Sequence, residues 1–535
     1  MHGTPDTHSW DWDGAWRRYS EGVANPTDAA AAIEEKDETL PVYPAKNAPV
    51  ESAALQPWKD KAEQAAQTTV LAVLFAVPAL LCVRAAKVMD PDIWWHLRTG
   101  ELILAQHAAL RVEPYSSALA GTPWLAYSWL FELVVVKLFH WFGLVGIVAY
   151  TSGMILTITI ALYHLVRRLQ GDFTVAVLLT FAACFSMGHL YTPRPWMFTI
   201  LFFILELDIL MQARKTGRVR ELAWLPVIFA LWANIHIQFV DGLVVLGLAA
   251  ADALIASWGP ADEMRPRPQP AWLCGALVAS GLATLANPFG WRIYQAAYEL
   301  ATQGGALNKV SEMQAIPFRD LLDFLILLFA LGSAAALAWR RFPLFETVLL
   351  GFAAVLAFRS QRDVWVMATV GAAILASTIA GSEKAAMRLP RFATAVAVLA
   401  AALVVLAGAR VLHENNSQLE TVLAKSLPVR AVEAVRAKGY AGPLYNDYNW
   451  GGYLIWGLRM PVSIDGRAAF YGDQRIDRSI ATWNAQPDWA SDEQLRSARL
   501  VIGPVTAPLT QVLRLDPRFQ LVYEDKVAAV FIARR

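Results

Sequence analysis

Apolar runs of about 17–25 residues, the length that crosses a hydrocarbon core of roughly 30 Å, recur along this chain and restrict it to folds that live in a bilayer. They lie at about 68–86, 142–165, 172–188, 196–213, 222–235, 239–257, 271–286, 320–338, 343–358, 363–380 and 392–409. Lipid cannot satisfy backbone N–H and C=O groups, so each run is expected to be a helix. Composition agrees: the 535 residues are 56% hydrophobic and 17% charged, against about 25% charge in soluble domains. A net charge of +1 argues against a nucleic-acid partner. Cys82, Cys184 and Cys274 fall in three different runs, which predicts buried thiols and no disulfide framework.

Orientation follows from Lys and Arg in the short loops. With the N-terminus cytoplasmic, one set of turns holds Arg167 and Arg168; Arg214, Lys215, Arg218 and Arg220; Arg265 and Arg267; Arg340 and Arg341; and Lys384, Arg388 and Arg391. The opposite turns hold only Arg194, then Arg292 and Lys309, then Arg359 and Arg362. This predicts a multi-pass inner-membrane protein in three parts. Residues 1–67, polar and acidic, form a disordered cytoplasmic tail. Residues 68–410 form the transmembrane bundle, with a first external loop at 87–132 that contains an interfacial helix from Ile93 to about His107. Residues 411–535 form a periplasmic domain whose short runs at 443–445, 461–464, 499–502 and 519–533 alternate with helical segments, as in a small α/β fold.

The sharpest local signal is Asp90-Pro91-Asp92-Ile93-Trp94-Trp95-His96, where the first helix leaves the membrane. Group transfer from a phosphate needs a base for the acceptor proton, and often a hard cation to neutralise phosphate. An Asp-x-Asp pair could serve either need. Equally, Asp90 could cap a helix with Pro91 at its first position. Glu132 sits among apolar residues near the membrane surface, where an acid faces a cavity or reaches the interface. Arg194, between two prolines, and Arg359 with Arg362 stand on the side where positive charge is disfavoured. A guanidinium fork suits phosphate, and an ion pair with Asp363 or a first-loop acid is the plainer alternative. Asn234 and His236 mark the turn between two helices, and Asn287 and Arg292 end another on the same side. In the last domain, Asn446-Asp447-Tyr448-Asn449-Trp450-Gly451-Gly452-Tyr453 and Ile464-Asp465-Gly466-Arg467 each follow a short strand, either as tight turns or as ligand loops at strand ends. Asp90, Asp92, His96, Glu132, Arg194, His236, Asn287, Arg292, Arg359 and Arg362 all map to one face.

These motifs together resemble large bacterial membrane proteins related to the GT-C glycosyltransferases, over roughly residues 68–535. The resemblance implies a mostly α, GT-C-type bundle of about eleven helices with a C-terminal α/β domain. It also implies a polyprenyl-phosphate-linked sugar as donor and an unknown glycan, lipid or protein as acceptor. The first-loop acidic motif of that group implies Asp90 and Asp92 here; the protein O-mannosyltransferases are similar, with an Asp-Glu pair at that place. The segment around Trp450 is similar to the Trp-Trp-Asp-Tyr-Gly motif of oligosaccharyltransferases, although its residue order differs.

The expected site therefore has Asp90, Asp92, His96 and Glu132 as catalytic groups. Arg194, Asn234, His236, Asn287, Arg292, Arg359, Arg362, Asn446, Asp447, Trp450, Asp465 and Arg467 would bind substrate. Asp90 and Asp92 could also hold Mg2+ or Mn2+. A transporter or flippase of lipid-linked sugars and a non-catalytic assembly protein of the same fold remain the alternatives. The transporter would need ionisable residues near the bilayer midplane and internal symmetry.

Overall fold

The computed structural model describes residues 50–84, 90–258, 269–302, 310–379, 389–412 and 415–534. The acidic tail before residue 50 lies outside them, as do Arg265, Arg267, Lys309, Lys384 and Arg388. The chain divides into two compact units, Met1–Ala62 and Glu63–Arg535, and the site described below lies in the second.

Every expected apolar run is helical: α1 (Val50–Arg84), α4 (Leu144–Leu169), α5 (Phe173–Ser186), α6 (Trp196–Thr216), α7 (Leu225–Ile235), α8 (Phe239–Ser257), α9 (Pro270–Ala283), α11 (Leu321–Trp339), α12 (Leu344–Arg359), α13 (Val364–Thr378) and α14 (Arg391–Val411). Among the described residues, six of these are long and apolar enough to cross a membrane. Helix α1 starts at Val50, so residues 50–67 of the expected disordered tail are helical instead, because their Ala, Gln, Glu and Lys residues are strong helix formers. Three further helices were not marked by a spanning run: α2 (Ile93–Gln106), expected as interfacial, and α3 (Trp129–Phe142) and α10 (Arg292–Thr302), which are shorter than a bilayer crossing.

Helix α13 forms the core of the bundle. Each residue from Val364 to Ile374 is buried, and it packs against α4, α5, α11 and α12. Its Ala and Gly positions permit that close approach: a Cβ on Gly371 would lie 2.8 Å from the Phe329 side chain. Cys82 and Cys184 are buried as expected, and Cys274 is only half-buried.

Beyond α14 come α15 (Asn416–Leu423), α16 (Val429–Lys438), α17 (Gly451–Leu458), α18 (Ala468–Trp483, interrupted at Gly472), α19 (Glu493–Ser497) and α20 (Pro508–Leu513). They surround a four-stranded sheet in the order β1 (Leu444–Asn446), β2 (Leu500–Pro504), β4 (Ala528–Ala533), β3 (Phe519–Glu524). β1 and β2 are parallel; the other pairings are antiparallel. The run at 461–464 does not join this sheet. Its backbone partners are in the first loop: Val462 N–H donates to the Tyr115 carbonyl (2.8 Å), and Ser117 N–H donates to the Val462 carbonyl (2.9 Å). Helix α17 packs along α2. The C-terminal elements are therefore seated on the first loop, and that seating builds the site.

Candidate active site

Asp90 is not a helix cap. The helix begins at Ile93, the cap position falls to Asp92, and the Asp92 side chain makes no capping bond. Instead, Asp90 Oδ1 accepts from the Asp92 backbone N–H (2.9 Å) and tightens the turn over Pro91. Both carboxylates then face Arg194: Asp90 Oδ2 is 2.7 Å from Nε, and Asp92 Oδ2 is 2.6 Å from Nη1. Glu312 approaches the same Nη1 at 3.5 Å. The arginine is fixed from behind, with the Tyr150 hydroxyl donating to its carbonyl (3.0 Å) and its guanidinium 4.8 Å from the Trp196 ring centre. The ion-pair alternative for Arg194 is thus what the structure contains.

The two acids differ in what they have left. Both Asp90 oxygens are engaged. Asp92 Oδ1 is buried with no hydrogen-bond partner among the described residues. Burial pushes Asp92 up to about 6; the Arg194 charge opposes the rise, and the Asp90 and Glu312 charges add to it.

The C-terminal motifs close over this pair. Gly466 lies against the Asp92 carboxylate, and a Cβ there would overlap it. Gly452 lies against the Pro91 carbonyl and near the Trp95 ring. Only glycine permits backbone so near. Asn446 ties the two motifs together: its Oδ1 accepts from Ser463 N–H (2.9 Å) and its Nδ2 donates to the Ile464 carbonyl (2.8 Å). Asp447 accepts from Asn449 N–H (2.9 Å), and burial lifts it to about 6 against those backbone donors. Trp450 is buried and its Nε1 donates to the Ser426 carbonyl (3.1 Å).

Arg467 joins loop to domain. It pairs with Glu113 of the first loop and with Asp465 (2.6 Å). Its guanidinium sits 4.8 Å from the Trp124 ring centre and 5.0 Å from that of Tyr115. Burial would raise the Asp465 carboxyl, but the Arg467 charge and its hydrogen bonds win and hold it below the usual range. Glu113 has no distinguishing neighbours in sequence, and it pairs with a residue 354 positions away.

On the bundle side, His96 Nδ1 meets Glu132 Oε1 at 3.2 Å, both buried. Burial lifts Glu132 well above the carboxylate range; burial and then the Arg194 charge hold His96 well below its own. Burial thus disfavours the charged form of both partners in this contact. His236 Nδ1 meets the Thr199 hydroxyl (2.8 Å), which also accepts from Trp232 Nε1 (2.8 Å). Asn234 accepts from Trp129 Nε1 (2.9 Å) and donates to the Ala286 carbonyl (2.8 Å), linking α3, α7 and the end of α9. Asn287 bonds within its own turn, to Thr284 and Phe289.

The expected residues do not all converge. Asp90, Asp92, His96, Arg194, His236 and Arg467 lie close enough for their charges to act on one another, and Arg362 acts on His236. Arg362 is half-buried with its guanidinium 5.7 Å from the Trp196 ring centre. Arg359 and Arg292 are exposed. Residues not singled out by sequence also enter: Glu113 and Glu312, Tyr448, whose hydroxyl donates to the Gly466 carbonyl (3.2 Å), and Tyr471, which donates to Asp465 (2.7 Å). Among the described residues, no three His, Cys, Asp or Glu side chains are grouped to hold a metal.

No protein-family model matches the chain, and no curated protein matches its sequence. Solved structures do match in fold. The archaeal oligosaccharyltransferase AglB from Archaeoglobus fulgidus, in complex with an inhibitory peptide and a dolichol-phosphate, is 12% identical with a TM-score of 0.50, over 84% of this chain and 70% of that one. ArnT from Cupriavidus metallidurans bound to undecaprenyl phosphate is 14% identical with a TM-score of 0.47, over 86% and 97%. Over that length this chain shares the fold of AglB, a helical membrane bundle of GT-C type with a C-terminal sheet-bearing part in this chain.

Proposed function

We propose that the chain is a membrane glycosyltransferase that moves a sugar from a polyprenyl-phosphate-linked donor to an acceptor on the external face of a bacterial inner membrane. One observation carries the reading: a buried carboxylate with a free oxygen, Asp92, is held by Arg194 beneath the glycines of the C-terminal domain. The dolichol-phosphate and peptide bound to AglB support a lipid-linked donor and a separate acceptor.

Asp92 Oδ1 takes the proton of the acceptor hydroxyl as the acceptor oxygen bonds to the sugar's anomeric carbon. The bond from that carbon to the phosphate oxygen breaks, and the carrier phosphate leaves with the electron pair. Asp90 anchors Arg194, whose charge keeps Asp92 ionised at neutral pH. Arg362 receives the leaving phosphate. His96 and Glu132, through their buried contact, orient α2 and α3. Asn446, Asp447, Trp450, Asp465 and Arg467 shape the acceptor side. Mg2+ or Mn2+ does not fit as a resident ion, because Arg194 fills the space between the two acids and one carboxylate oxygen is left uncommitted.

The arginines give a direct test. Arg362→Ala should lower the copurified polyprenyl phosphate about tenfold or more, and Arg362→Lys should recover only part, because lysine lacks the planar fork. The exposed Arg359, changed to Ala, should have little effect. Equal lipid retention in all three variants would remove the phosphate role.

In this reading residues 411–535 face the periplasm and the ends of α4, α6 and α8 face the cytoplasm. Single cysteines at Thr216 and Ser497, both exposed, in a background lacking the native three, should label oppositely. An impermeant maleimide applied to the outer face of the inner membrane should reach Ser497→Cys and spare Thr216→Cys. The reverse pattern would invert the topology.

A further inference from the structure

The helices that bring Arg194, His236 and Arg362 to one end of the bundle carry a second charged cleft at the other. α6 starts beside Arg194 and ends at Thr216, 21 residues later, or about 30 Å at 1.5 Å per residue. Its last turn enters a cleft of about 970 Å³, with charged lining from Arg214 and Lys215 of α6, Asp252 of α8, Arg340 after α11 and Glu346 of α12.

The charges in this cleft are unevenly matched. Arg214 Nη1 binds Asp252 Oδ2 at 2.5 Å, while Nη2 stands 3.6 Å from Glu346 Oε2. The guanidinium rests 4.3 Å from the Phe345 ring centre, and its Nε is buried with no hydrogen-bond partner. Glu346 Oε2 is likewise buried and accepts no hydrogen bond. Lys215 Nζ donates to the Arg168 carbonyl (3.0 Å) and more weakly to that of Leu169 (3.4 Å), which leaves one of its three N–H groups. Arg340 is exposed at the rim and has no ion-pair partner among the described residues.

Depth identifies the surroundings. Trp224, Trp258 and Trp339 project from this same end at 64%, 84% and 91% exposure. Tryptophans so exposed on a membrane protein belong at the headgroup level. The cleft therefore opens among lipid headgroups. A purely anionic headgroup would meet Glu346 and Asp252 in the wall. A headgroup carrying both a phosphate and an amine matches both signs.

We propose that this cleft binds the headgroup of an aminophospholipid, with the phosphate at Lys215 and Arg340 and the primary amine at Glu346. The site is independent of the transfer chemistry at the other end. It would seat the bundle at a fixed depth and tie α6, α8 and α12 together where their partners are charged.

The test uses the full chain in detergent, delipidated and then offered phosphatidylethanolamine, phosphatidylcholine or phosphatidylglycerol, with bound lipid counted by native mass spectrometry. Wild type should retain phosphatidylethanolamine over the other two. Lys215→Ala with Arg340→Ala should lower that retention about tenfold, the loss of one strong charge-assisted contact. Arg340→Ala alone sits on an exposed rim and keeps the fold testable if the double variant unfolds; it should lower retention in the same direction. Glu346→Gln should erase the preference for the primary amine over the choline headgroup. Equal retention of all three lipids by wild type, or a preference for phosphatidylglycerol, would overturn the assignment. So would equal stabilisation by inorganic phosphate alone, which would make this an anion site and not a lipid site.

Discussion

Asp92→Asn is expected to lower sugar transfer by about 100- to 10,000-fold, the usual loss when a general base is removed, with the melting temperature nearly unchanged. Asparagine keeps the size of aspartate and can still accept from Arg194. It cannot take a proton. The Asp92 side chain makes no helix-capping bond, so a structural defect has no route through the cap. The pH profile of the wild type sharpens the point. Burial outweighs the Arg194 charge and pushes Asp92 up to about 6, and the base acts only when ionised. The rate should therefore be flat above about pH 7 and fall as pH drops through 6. Asp90→Asn removes a negative charge that raises Asp92, so its acid limb should move to lower pH. An unshifted limb in that variant would mean that another group titrates.

The second large effect is at Arg467. Removing it leaves Glu113 and Asp465 facing one another, both with fully buried side chains. Breaking a buried pair costs about 3–5 kcal/mol, because the partner charges are left uncompensated. Arg467→Ala should accordingly lower the melting temperature sharply and expose the 440–470 backbone to hydrogen exchange, since this arginine fastens that segment to the first loop. Arg467→Lys should fall between, keeping charge without the fork that reaches both acids. A melting temperature for Arg467→Ala within a degree of wild type would show that the aromatic surroundings, not the ion pairs, hold the domain down.

How much of this was legible in the sequence depended on whether the signal was local. Apolar length located the six helices that are long enough to cross a membrane among the described residues, because a bilayer sets that length and little else satisfies it. Helix α3 gave no such signal: fourteen residues containing Glu132 and Lys137 neither span a membrane nor show a clean amphipathic stripe. The acid pair was visible as a motif, but its contact with Arg194, a residue 104 positions away from Asp90, was not. Glycines 452 and 466 stood out as motif members, yet nothing local shows that their missing side chains make room for Pro91 and Asp92. Glu113 was missed for the same reason. The segment at 461–464 reads as a strand but holds only one isolated bridge, from Val462 to Ser116 of the first loop and not to the sheet. Asn234 and Asn287 look like site residues because polar groups are conspicuous among apolar ones, and the structure uses both to fasten turns.

The central claim is that this chain consumes a lipid-linked sugar at Asp92. The most direct measurement is the pool of polyprenyl-phosphate-linked sugar in membranes of a deletion strain complemented with wild type or with Asp92→Asn, quantified by mass spectrometry with protein levels matched. The account predicts that wild type draws the donor pool down and releases free polyprenyl phosphate, while Asp92→Asn leaves the donor accumulated as in the deletion strain. Full restoration of the wild-type lipid profile by Asp92→Asn would contradict it.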